Sequence, residues 1–337
     1  MKFDKSKIDE ELRTKGEVIR FILPYYTKTK MKIVDKFSAL IFKGKKPSDS
    51  EVNYNQAYIS RGDDSKFRVC VYYSNNTMSA INQGKKAIAV LWVHGGGYAM
   101  SEPEQDYVFF KKFVKNYNVI VFAPDYTKSL EKPFPAAFED VKLAYEYIKN
   151  NAEKFGLFED NIFVGGDSAG GGLSLSLALY ARDVGDNSIT FCMPIYPMIN
   201  HKHTESSKDN EMPVWNTKSN DNAWKIYLEG ANKASEEFKY ASPAIETNYS
   251  GLPSMLTYVG TEDPFYIETK TLVKNLKKAG VKVEFKEFEG CYHGFDVACP
   301  KAKKSIEAKE FLIQGFDKAY DKTMKKLLAD NQNIKQL

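Results

Sequence analysis

The residues of this sequence that are best suited to nucleophilic chemistry form a Gly-Asp-Ser-Ala-Gly motif at positions 166–170, with Ser168 at its centre. An apolar run at 161–165 precedes the motif and a helix-like run at 173–182 follows it, so the serine falls on a strand-to-helix turn. Glycines on either side let the strand and the helix approach each other closely. Such a turn presents the serine hydroxyl above a sheet, beside the amides of a helix N-terminus. We therefore predict that Ser168 is a nucleophile.

A serine nucleophile needs a base that accepts its proton and a third group that orients the base. The chain has four histidines. Two of them, His201 and His203, lie in a polar stretch and are expected to be exposed. His94 begins a glycine-rich loop, whereas His293 lies in a loop after the last predicted strand. In hydrolases with this kind of serine turn the chain order is serine, acid and histidine, so we predict that His293 is the base.

The orienting acid is expected at the end of the strand before that loop, where Glu262, Asp263 and Pro264 follow one another. We predict Asp263 as the acid because the turn that Pro264 helps to fix would hold its carboxylate in place. Glu262 stays open as the alternative. Asp263 could also be a plain turn or helix-capping residue, since Asp-Pro pairs are common in turns.

A His-Gly-Gly-Gly loop at 94–97 directly follows the apolar run at 87–93. Its glycines can turn backbone N–H groups toward a ligand because no side chain stands in the way. Attack on a carbonyl group develops an oxyanion that needs such preorganised donors. We predict that this loop and the amide of Ala169 supply them, and that His94 and Gly97 support the shape of the loop.

These motifs are set in an alternation of apolar runs and helix-like segments. Seven runs are predicted as strands, at 66–73, 87–93, 118–123, 161–164, 190–195, 255–259 and 281–285. Five segments have helical spacing, at 105–115, 136–155, 168–182, 268–279 and 302–319. The run at 87–93 is continuously apolar, as in a strand covered on both faces. The pattern predicts an α/β fold with a mostly parallel central sheet flanked by helices.

Two segments fall outside the alternation. Residues 1–50 are Lys-rich with apolar residues at helical spacing, and an insertion at about 200–240 carries aromatic residues such as Trp215. The insertion is too long for a plain connection between strands. We predict that 1–50 forms the N-terminal part of a helical cap and that 51–320 forms the catalytic domain, with the insertion completing the cap. The polar tail at 321–337 is expected to fray.

The composition is that of a globular protein of moderate charge. The chain has 337 residues, a formal net charge of +4 and 43% hydrophobic residues. Its basic residues are mostly lysines without a cluster interleaved with aromatics, so we predict no nucleic-acid partner. Neither a signal peptide nor a membrane span of roughly 20 apolar residues is recognisable, so a cytoplasmic location is expected. Cys70 and Cys192 lie in strand-like runs and are predicted to be reduced core thiols.

Taken together, these motifs resemble the hormone-sensitive lipase group of α/β hydrolases, which includes bacterial acetyl esterases and arylesterases. The resemblance rests on the loop at 94–97, the turn at 166–171 and His-Gly-Phe at 293–295, and it covers about residues 65–320. Further similar stretches are 125–126, 133–137 with Asp140, 242–244 and 250–253. The resemblance implies an α/β-hydrolase fold with a helical cap, a triad of Ser168, Asp263 and His293, and an oxyanion hole of Gly95, Gly96 and Ala169.

Two positions depart from the pattern of that family. Ile267, with Glu268 next to it, stands where the family often has a second acid, and Thr127 stands where it has an arginine after the Asp-Tyr pair. Asp167, beside the nucleophile, is expected to brace the oxyanion loop and not to serve as the acid.

The working hypothesis is a serine carboxylesterase that cleaves short-chain acyl esters through an acyl-enzyme intermediate, without a metal or cofactor. The aromatic cap and Tyr98 predict a small, partly apolar acyl pocket for a small-molecule ester. Two alternatives stay open. One is an amidase or formamidase with the same triad. The other is a non-catalytic ligand receptor, although the receptor members of this family lack the catalytic histidine. The resemblance also suggests a homodimer, since family members often associate through the sheet edge.

Overall fold

The structure, a computed structural model, describes residues 4–334. Its centre is an eight-stranded sheet in the order β1-β2-β4-β3-β5-β6-β7-β8. The strands are β1 (Val52–Ser60), β2 (Lys66–Ser74), β3 (Ala87–Val93), β4 (Val119–Pro124), β5 (Leu157–Asp167), β6 (Ile189–Ile195), β7 (Ser254–Gly260) and β8 (Val283–Phe288). β2 runs antiparallel to β1 and to β4, whereas all other neighbouring pairs are parallel. The predicted, mostly parallel sheet is confirmed.

Helices cover both faces of this sheet. They are α1 (Glu10–Ile22), α2 (Lys28–Phe42), α3 (Asn75–Asn82), α4 (Tyr107–Asn116), α5 (Ala136–Asn150), α6 (Ala152–Phe155), α7 (Ala169–Asp183), α8 (Thr217–Tyr227), α9 (Phe238–Ala241), α10 (Tyr266–Lys278), α11 (Phe295–Ala298) and α12 (Lys303–Ile334). No helix between residues 4 and 334 combines the length and apolarity needed to cross a membrane. All four cysteines are buried and free, which confirms the prediction for Cys70 and Cys192.

The central strand β3 shows how the two layers arise from the sequence. Leu91 and Val93 pack into one core cluster with α5 and α7. Val90 and Trp92 point the other way and pack with α4 and α12. Every residue of β3 is buried. A strand covered on both faces has no polar face, which explains its continuously apolar sequence.

Four features differ from the sequence prediction, one of which is the unpredicted short helix α3. β1 is missing from the predicted strands because it lies at the sheet edge, where a polar and partly exposed sequence is tolerated. The predicted helix at 136–155 is broken at Asn151 and ends before Gly156, which adopts the left-handed conformation (φ +65°). The last helix continues to Ile334, so residues 321–334 are helical where a frayed tail is predicted; residues 335–337 lie outside the described part.

The N-terminal helices and the inserted segment are in direct contact. Asn216, the N-cap of α8, donates from Nδ2 to the carbonyl oxygen of Pro24 (2.6 Å). The Tyr26 amide donates to Ser219 Oγ (3.0 Å), and Asn222 Nδ2 donates to the Tyr26 carbonyl oxygen (2.8 Å). These bonds clamp the α1–α2 connection onto α8, so the two segments assigned to the cap lie together.

A buried ionic cluster joins this cap to the sheet. Arg68 of β2 pairs with Glu102 (3.2 Å) and Asp125 (3.1 Å). Lys128 pairs with the same Glu102 (2.9 Å) and with Asp35 of α2 (3.3 Å). The Arg68 and Lys128 side chains are each only 6% exposed, so these charges are compensated by one another and not by water.

Replacing Arg68 by methionine would leave its carboxylate partners buried with one cation fewer. We expect the free energy of unfolding to fall by roughly 3–5 kcal/mol, since breaking a buried ion pair strands the remaining charge. Urea denaturation measures the change. Lys318→Met is the matched control, because Lys318 forms an exposed pair with Glu284 (2.8 Å) and its loss should cost about 1 kcal/mol or less. Equal losses in the two variants would contradict the role of the buried cluster.

Candidate active site

Ser168 lies on a strained turn between β5 and α7. Its backbone has φ +54° and ψ −117°, a conformation that a residue with a side chain keeps only when its surroundings enforce it. Three hydrogen bonds do so here. The Ser168 amide donates to the Ile195 carbonyl oxygen (2.9 Å), and the Ser168 carbonyl oxygen accepts from the amides of Gly172 (3.0 Å) and Met198 (2.9 Å). The serine is thereby fixed at the end of β5, with 5% of its surface exposed.

The glycines on either side of the serine are required by close backbone contacts. A Cβ atom on Gly166 would lie 2.3 Å from the carbonyl oxygen of Val93. A Cβ atom on Gly170 would lie 1.9 Å from the same oxygen. β3, β5 and the first turn of α7 therefore meet where no side chain fits, which is the close approach that the motif predicts.

Three side chains from distant parts of the chain form one continuous relay. His293 Nε2 lies 2.9 Å from Ser168 Oγ, and His293 Nδ1 lies 2.7 Å from Asp263 Oδ2. The second carboxylate oxygen of Asp263 accepts the amide hydrogen of Phe265 (2.8 Å), which fixes the carboxylate. Asp263 is fully buried and His293 is 5% exposed. With Nδ1 donating to the carboxylate, Nε2 is left to accept the serine proton.

The structure separates the two acids that the sequence leaves open. Glu262 is half-buried, and its amide donates to the Cys291 carbonyl oxygen (3.0 Å). Its side chain lines a surface groove with Ser6 and Thr261, and burial raises the pKa of its carboxyl group. Of the two neighbouring acids, Asp263 is the one that reaches the imidazole.

Aromatic rings enclose the His293 imidazole. Tyr196 and Phe265 lie edge-on to it, with ring centroids at 5.0 Å and 4.9 Å. Trp215 of the cap lies at 6.4 Å, and it also covers the glycine loop, since a Cβ atom on Gly97 would be 2.3 Å from the indole ring. Apolar walls exclude water and strengthen the polar contacts of the relay.

The glycine loop offers a different set of amides from the predicted one. The Gly95 amide donates to Asp167 Oδ1 (2.9 Å), so it is not free for an oxyanion. The amides of Gly96, Gly97 and Ala169 make no hydrogen bond within residues 4–334. The assignment of Gly95 to the oxyanion hole is therefore corrected, because the carboxylate of Asp167 occupies its N–H. The same contact is the brace predicted for Asp167.

His94 contacts the loop in the way predicted for a supporting residue. Its Nδ1 donates to the Gly95 carbonyl oxygen (2.8 Å), and its ring stacks on Tyr126 at 4.2 Å. The Tyr126 hydroxyl donates to the His94 carbonyl oxygen (3.1 Å). Burial lowers the pKa of the His94 imidazole to about 4, so the ring is neutral and a poor proton acceptor at neutral pH.

A second acid, Asp106, lies behind the brace. Its carboxyl group is hydrogen-bonded to that of Asp167 and also accepts the Nε1 hydrogen of Trp92 (3.0 Å). Burial, and then the charge of Asp167, raises the pKa of Asp106 well above its usual range. Burial likewise raises the pKa of Asp167 to about 6. Two carboxyl groups in contact cannot both be charged at low cost, so Asp106 holds a proton and donates it to Asp167.

Tyr98 does not have the position predicted for a substrate-binding residue. It is buried, its hydroxyl donates to the Met198 carbonyl oxygen (2.6 Å), and its ring stacks on Tyr227 of α8 at 3.9 Å. Both its polar and its apolar surfaces are thus already used. Tyr98 packs the glycine loop against the cap.

The two departures from the family pattern have their own partners. Thr127 donates its amide hydrogen to Asp140 (2.7 Å), and the guanidinium of Arg61 pairs with the same carboxylate (2.6 Å). Glu268 accepts the amide hydrogen of Ile199 (2.8 Å), and burial raises the pKa of its carboxyl group well above the usual range. An arginine from another segment therefore supplies the cation beside Thr127.

Two residues that contact the candidate site, Asp106 at Asp167 and Trp215 at Gly97, are not among the site residues predicted from the sequence. The aromatic composition of the insertion is a sequence signal for Trp215. The sequence carries no such signal for Asp106, because its role depends on contact with Asp167.

The expected exposure of the two remaining histidines is half right. His203 is exposed, but His201 is half-buried with Nδ1 2.8 Å from Ser242 Oγ.

Known proteins share the segments that build this site. A family model described as alpha/beta hydrolase fold matches residues 90–297. The chain is 27% identical to carboxylesterase NlhH of Mycobacterium tuberculosis over 209 residues, which are 61% of this chain and 66%, just under two thirds, of that relative. It is 28% identical to an acetyl-hydrolase of Streptomyces hygroscopicus over 226 residues, 65% of this chain and 72% of the relative. A bacterial heroin esterase structure matches with a TM-score of 0.81 at 25% identity, over 94% of this chain and 98% of that one.

The proton held by Asp106 makes stability depend on pH. An unfolded aspartate loses its proton near pH 4, so the stabilisation from the retained proton is complete below about pH 4 and is lost as the pH rises toward the raised folded-state pKa. Asp106→Asn supplies a donor that does not titrate. Between about pH 5 and pH 8 we expect the free energy of unfolding of Asp106→Asn to fall less than that of the wild type. The difference is at most about 1.4 kcal/mol for each pH unit below the folded-state pKa of Asp106.

Urea denaturation at the two pH values measures this difference. Asp317→Asn, at an exposed aspartate of α12, is the control and should keep the pH dependence of the wild type. Parallel curves for the wild type and Asp106→Asn would show that Asp106 holds no extra proton.

Proposed function

The chain belongs to the alpha/beta hydrolase family, in the hormone-sensitive lipase group that its motifs resemble, and on that premise we propose that it is a serine carboxylesterase. Ser168 is the nucleophile, His293 the base and Asp263 the acid that orients the base. The main support is the unbroken relay, with 2.9 Å from serine to histidine and 2.7 Å from histidine to aspartate. The names of its relatives, a carboxylesterase and an acetyl-hydrolase, support esters as the substrate class.

The first half of the reaction transfers the acyl group to the enzyme. His293 Nε2 takes the proton of Ser168 as the serine oxygen attacks the ester carbonyl. The imidazolium that forms keeps its Nδ1–H bond to Asp263, whose negative charge stabilises it. The amide of Phe265 prevents the carboxylate from turning away.

The negative oxygen of the tetrahedral intermediate needs donors that are already in place. The unused amides of Gly96, Gly97 and Ala169 are suited to this role, and the N-terminal end of α7 adds a favourable dipole. Loss of one such donor typically costs about 3–4 kcal/mol in the transition state. Asp167 contributes indirectly, because its bond to Gly95 holds the loop in position.

The second half releases the acid. His293 returns the proton to the leaving alcohol, which departs and leaves the acyl group on Ser168. Water then takes the place of the alcohol, and His293 removes a proton from it as it attacks the acyl carbonyl. Collapse of the second intermediate gives the carboxylic acid and restores the serine hydroxyl.

Short acyl groups fit this site best because of Trp215. The indole lies over Gly97 and beside His293, and it is only 4% exposed. A ring contact at 5.5 Å with Tyr26, in the α1–α2 connection, holds it from the other side. A large side chain fixed in this way leaves little room for a long acyl chain.

Fluorophosphonate labelling with an ester panel tests the proposal. The wild type should be labelled and should hydrolyse p-nitrophenyl acetate, and Ser168→Ala should do neither. Asp263→Asn should lower kcat by about 10⁴-fold, because the imidazole loses the partner that fixes its tautomer. The matched control is Glu262→Gln, the adjacent acid that does not reach His293, which should retain activity close to that of the wild type.

Two outcomes would favour the other candidates. A folded wild type that is neither labelled nor active would indicate a non-catalytic receptor. Faster turnover of formyl amides than of matched esters would indicate an amidase with the same relay. Equal losses in Asp263→Asn and Glu262→Gln would contradict the assignment of the acid.

Trp215→Ala should widen the acyl site. We expect the ratio of kcat/KM for p-nitrophenyl octanoate to that for the acetate to rise on the order of tenfold, since each additional methylene finds space. Trp224→Ala, at a cap tryptophan that packs on Tyr98 (5.5 Å), should leave this ratio unchanged. An unchanged ratio in Trp215→Ala would exclude the indole as the wall of the acyl site.

A further inference from the structure

The cap helix α2 carries a second apolar stripe that is largely exposed. Ile33, Phe37 and Leu40 are 61%, 62% and 81% exposed, and Ile41 is exposed beside them. Their spacing places them on one side of the helix. Single exposed apolar residues are common on protein surfaces, but several on one helix face indicate an interaction surface.

The inner side of α2 already has its own contacts. Met31 and Ser38 are buried, and Asp35 is half-buried and pairs with Lys128 (3.3 Å). Burial of this inner side attaches the helix to the molecule. The outer stripe is therefore not the main attachment of the helix, and it exposes apolar surface to water. The preceding helix adds to the exposed surface, because Phe21 and Ile22 at its end are 89% and 74% exposed.

Lysines flank the outer stripe. Residues 28–46 contain seven lysines and a single acidic residue, and that acid is the inward-facing Asp35. Lys32 and Lys36, which are four residues apart, are exposed along one border of the stripe. The outer face of α2 is therefore both apolar and positively charged.

We propose that this cap face, defined by Ile33, Phe37, Leu40 and Ile41 with Lys32 and Lys36, binds an anionic lipid surface. Apolar side chains on one side of such a helix enter the boundary between headgroups and acyl chains. Lysines beside them contact the negatively charged headgroups. The apolar side chains and the lysines thus both bind to the same lipid surface. The helix lies in the plane of the membrane and does not cross it.

Charge argues for lipid and against a second copy of the chain on this face. A symmetric dimer pairs the same patch on both subunits, so it would place two positively charged faces against each other. An anionic lipid surface instead attracts the lysines while accepting the apolar stripe. The inference concerns binding alone and does not depend on the chemistry at Ser168.

Sedimentation of the full chain with lipid vesicles tests the proposal. The wild type should bind vesicles of mixed phosphatidylglycerol and phosphatidylcholine, and it should bind vesicles of phosphatidylcholine alone far more weakly. Lys32→Gln/Lys36→Gln should lower binding to the anionic vesicles on the order of 30-fold, and added salt should weaken wild-type binding. Phe37→Ser/Leu40→Ser should lower it on the order of 100-fold, because two large apolar side chains no longer enter the lipid.

Val184→Ser is the matched control, since Val184 is 58% exposed after α7 and outside the cap face. It should bind like the wild type. All these side chains are exposed, so thermal unfolding of the variants should match that of the wild type. Hydrolysis of water-soluble p-nitrophenyl acetate, measured in parallel, should be unchanged in the Phe37/Leu40 and Lys32/Lys36 variants, and Ser168→Ala should still bind vesicles.

The proposal is overturned if the wild type binds neither kind of vesicle or binds both equally. It is also overturned if Phe37→Ser/Leu40→Ser binds like the wild type, or if its only effect in analytical ultracentrifugation is to dissociate a dimer. Absence of vesicle binding with intact ester hydrolysis would contradict the lipid-binding proposal but not the proposed esterase function. Vesicle binding without any hydrolysis would contradict the esterase function but not the lipid-binding proposal.

Discussion

The backbone contact between β3 and the first turn of α7 is the constraint on which the candidate site depends. Gly166 and Gly170 approach the carbonyl oxygen of Val93 so closely that neither position accepts a Cβ atom. Hydrogen bonds to Ile195 and from Met198 hold the strained backbone of Ser168 in that contact. Because β3 leads directly into the glycine loop, the same contact sets the distance between the serine and the unused amides.

Behind this contact, buried polar side chains form hydrogen bonds to one another in the interior of the protein. The loop is held by the bond from Gly95 to Asp167, and Asp167 is in turn held by the protonated carboxyl group of Asp106. Trp92, on the core side of β3, donates to Asp106. A chain of hydrogen bonds therefore runs from the core of the sheet to the glycine loop, and each buried polar group in it has a partner.

The cap connects the site to the surface of the molecule. On its inner side Trp215 contacts the glycine loop and the His293 ring, and the α1–α2 connection is clamped to α8 by side-chain amides. On its outer side α2 presents apolar residues bordered by lysines. The segments assigned to the cap therefore cover the candidate site with their inner side and carry the proposed lipid-binding face on their outer side.

The sequence by itself determined the serine turn, the glycine loop, the candidate histidine and the mostly parallel sheet, because each depends on residues that are close along the chain or on their order. Tertiary structure decided the rest. Asp263 is distinguished from Glu262 by which carboxylate faces the imidazole, and Gly95 is excluded as an oxyanion donor by Asp167, 72 positions away. Tyr98 stacks on Tyr227 of the cap, so its ring has a packing role and not the predicted contact with substrate. In each case the deciding partner comes from another element of the fold, and local spacing carries no information about which side chains packing brings together.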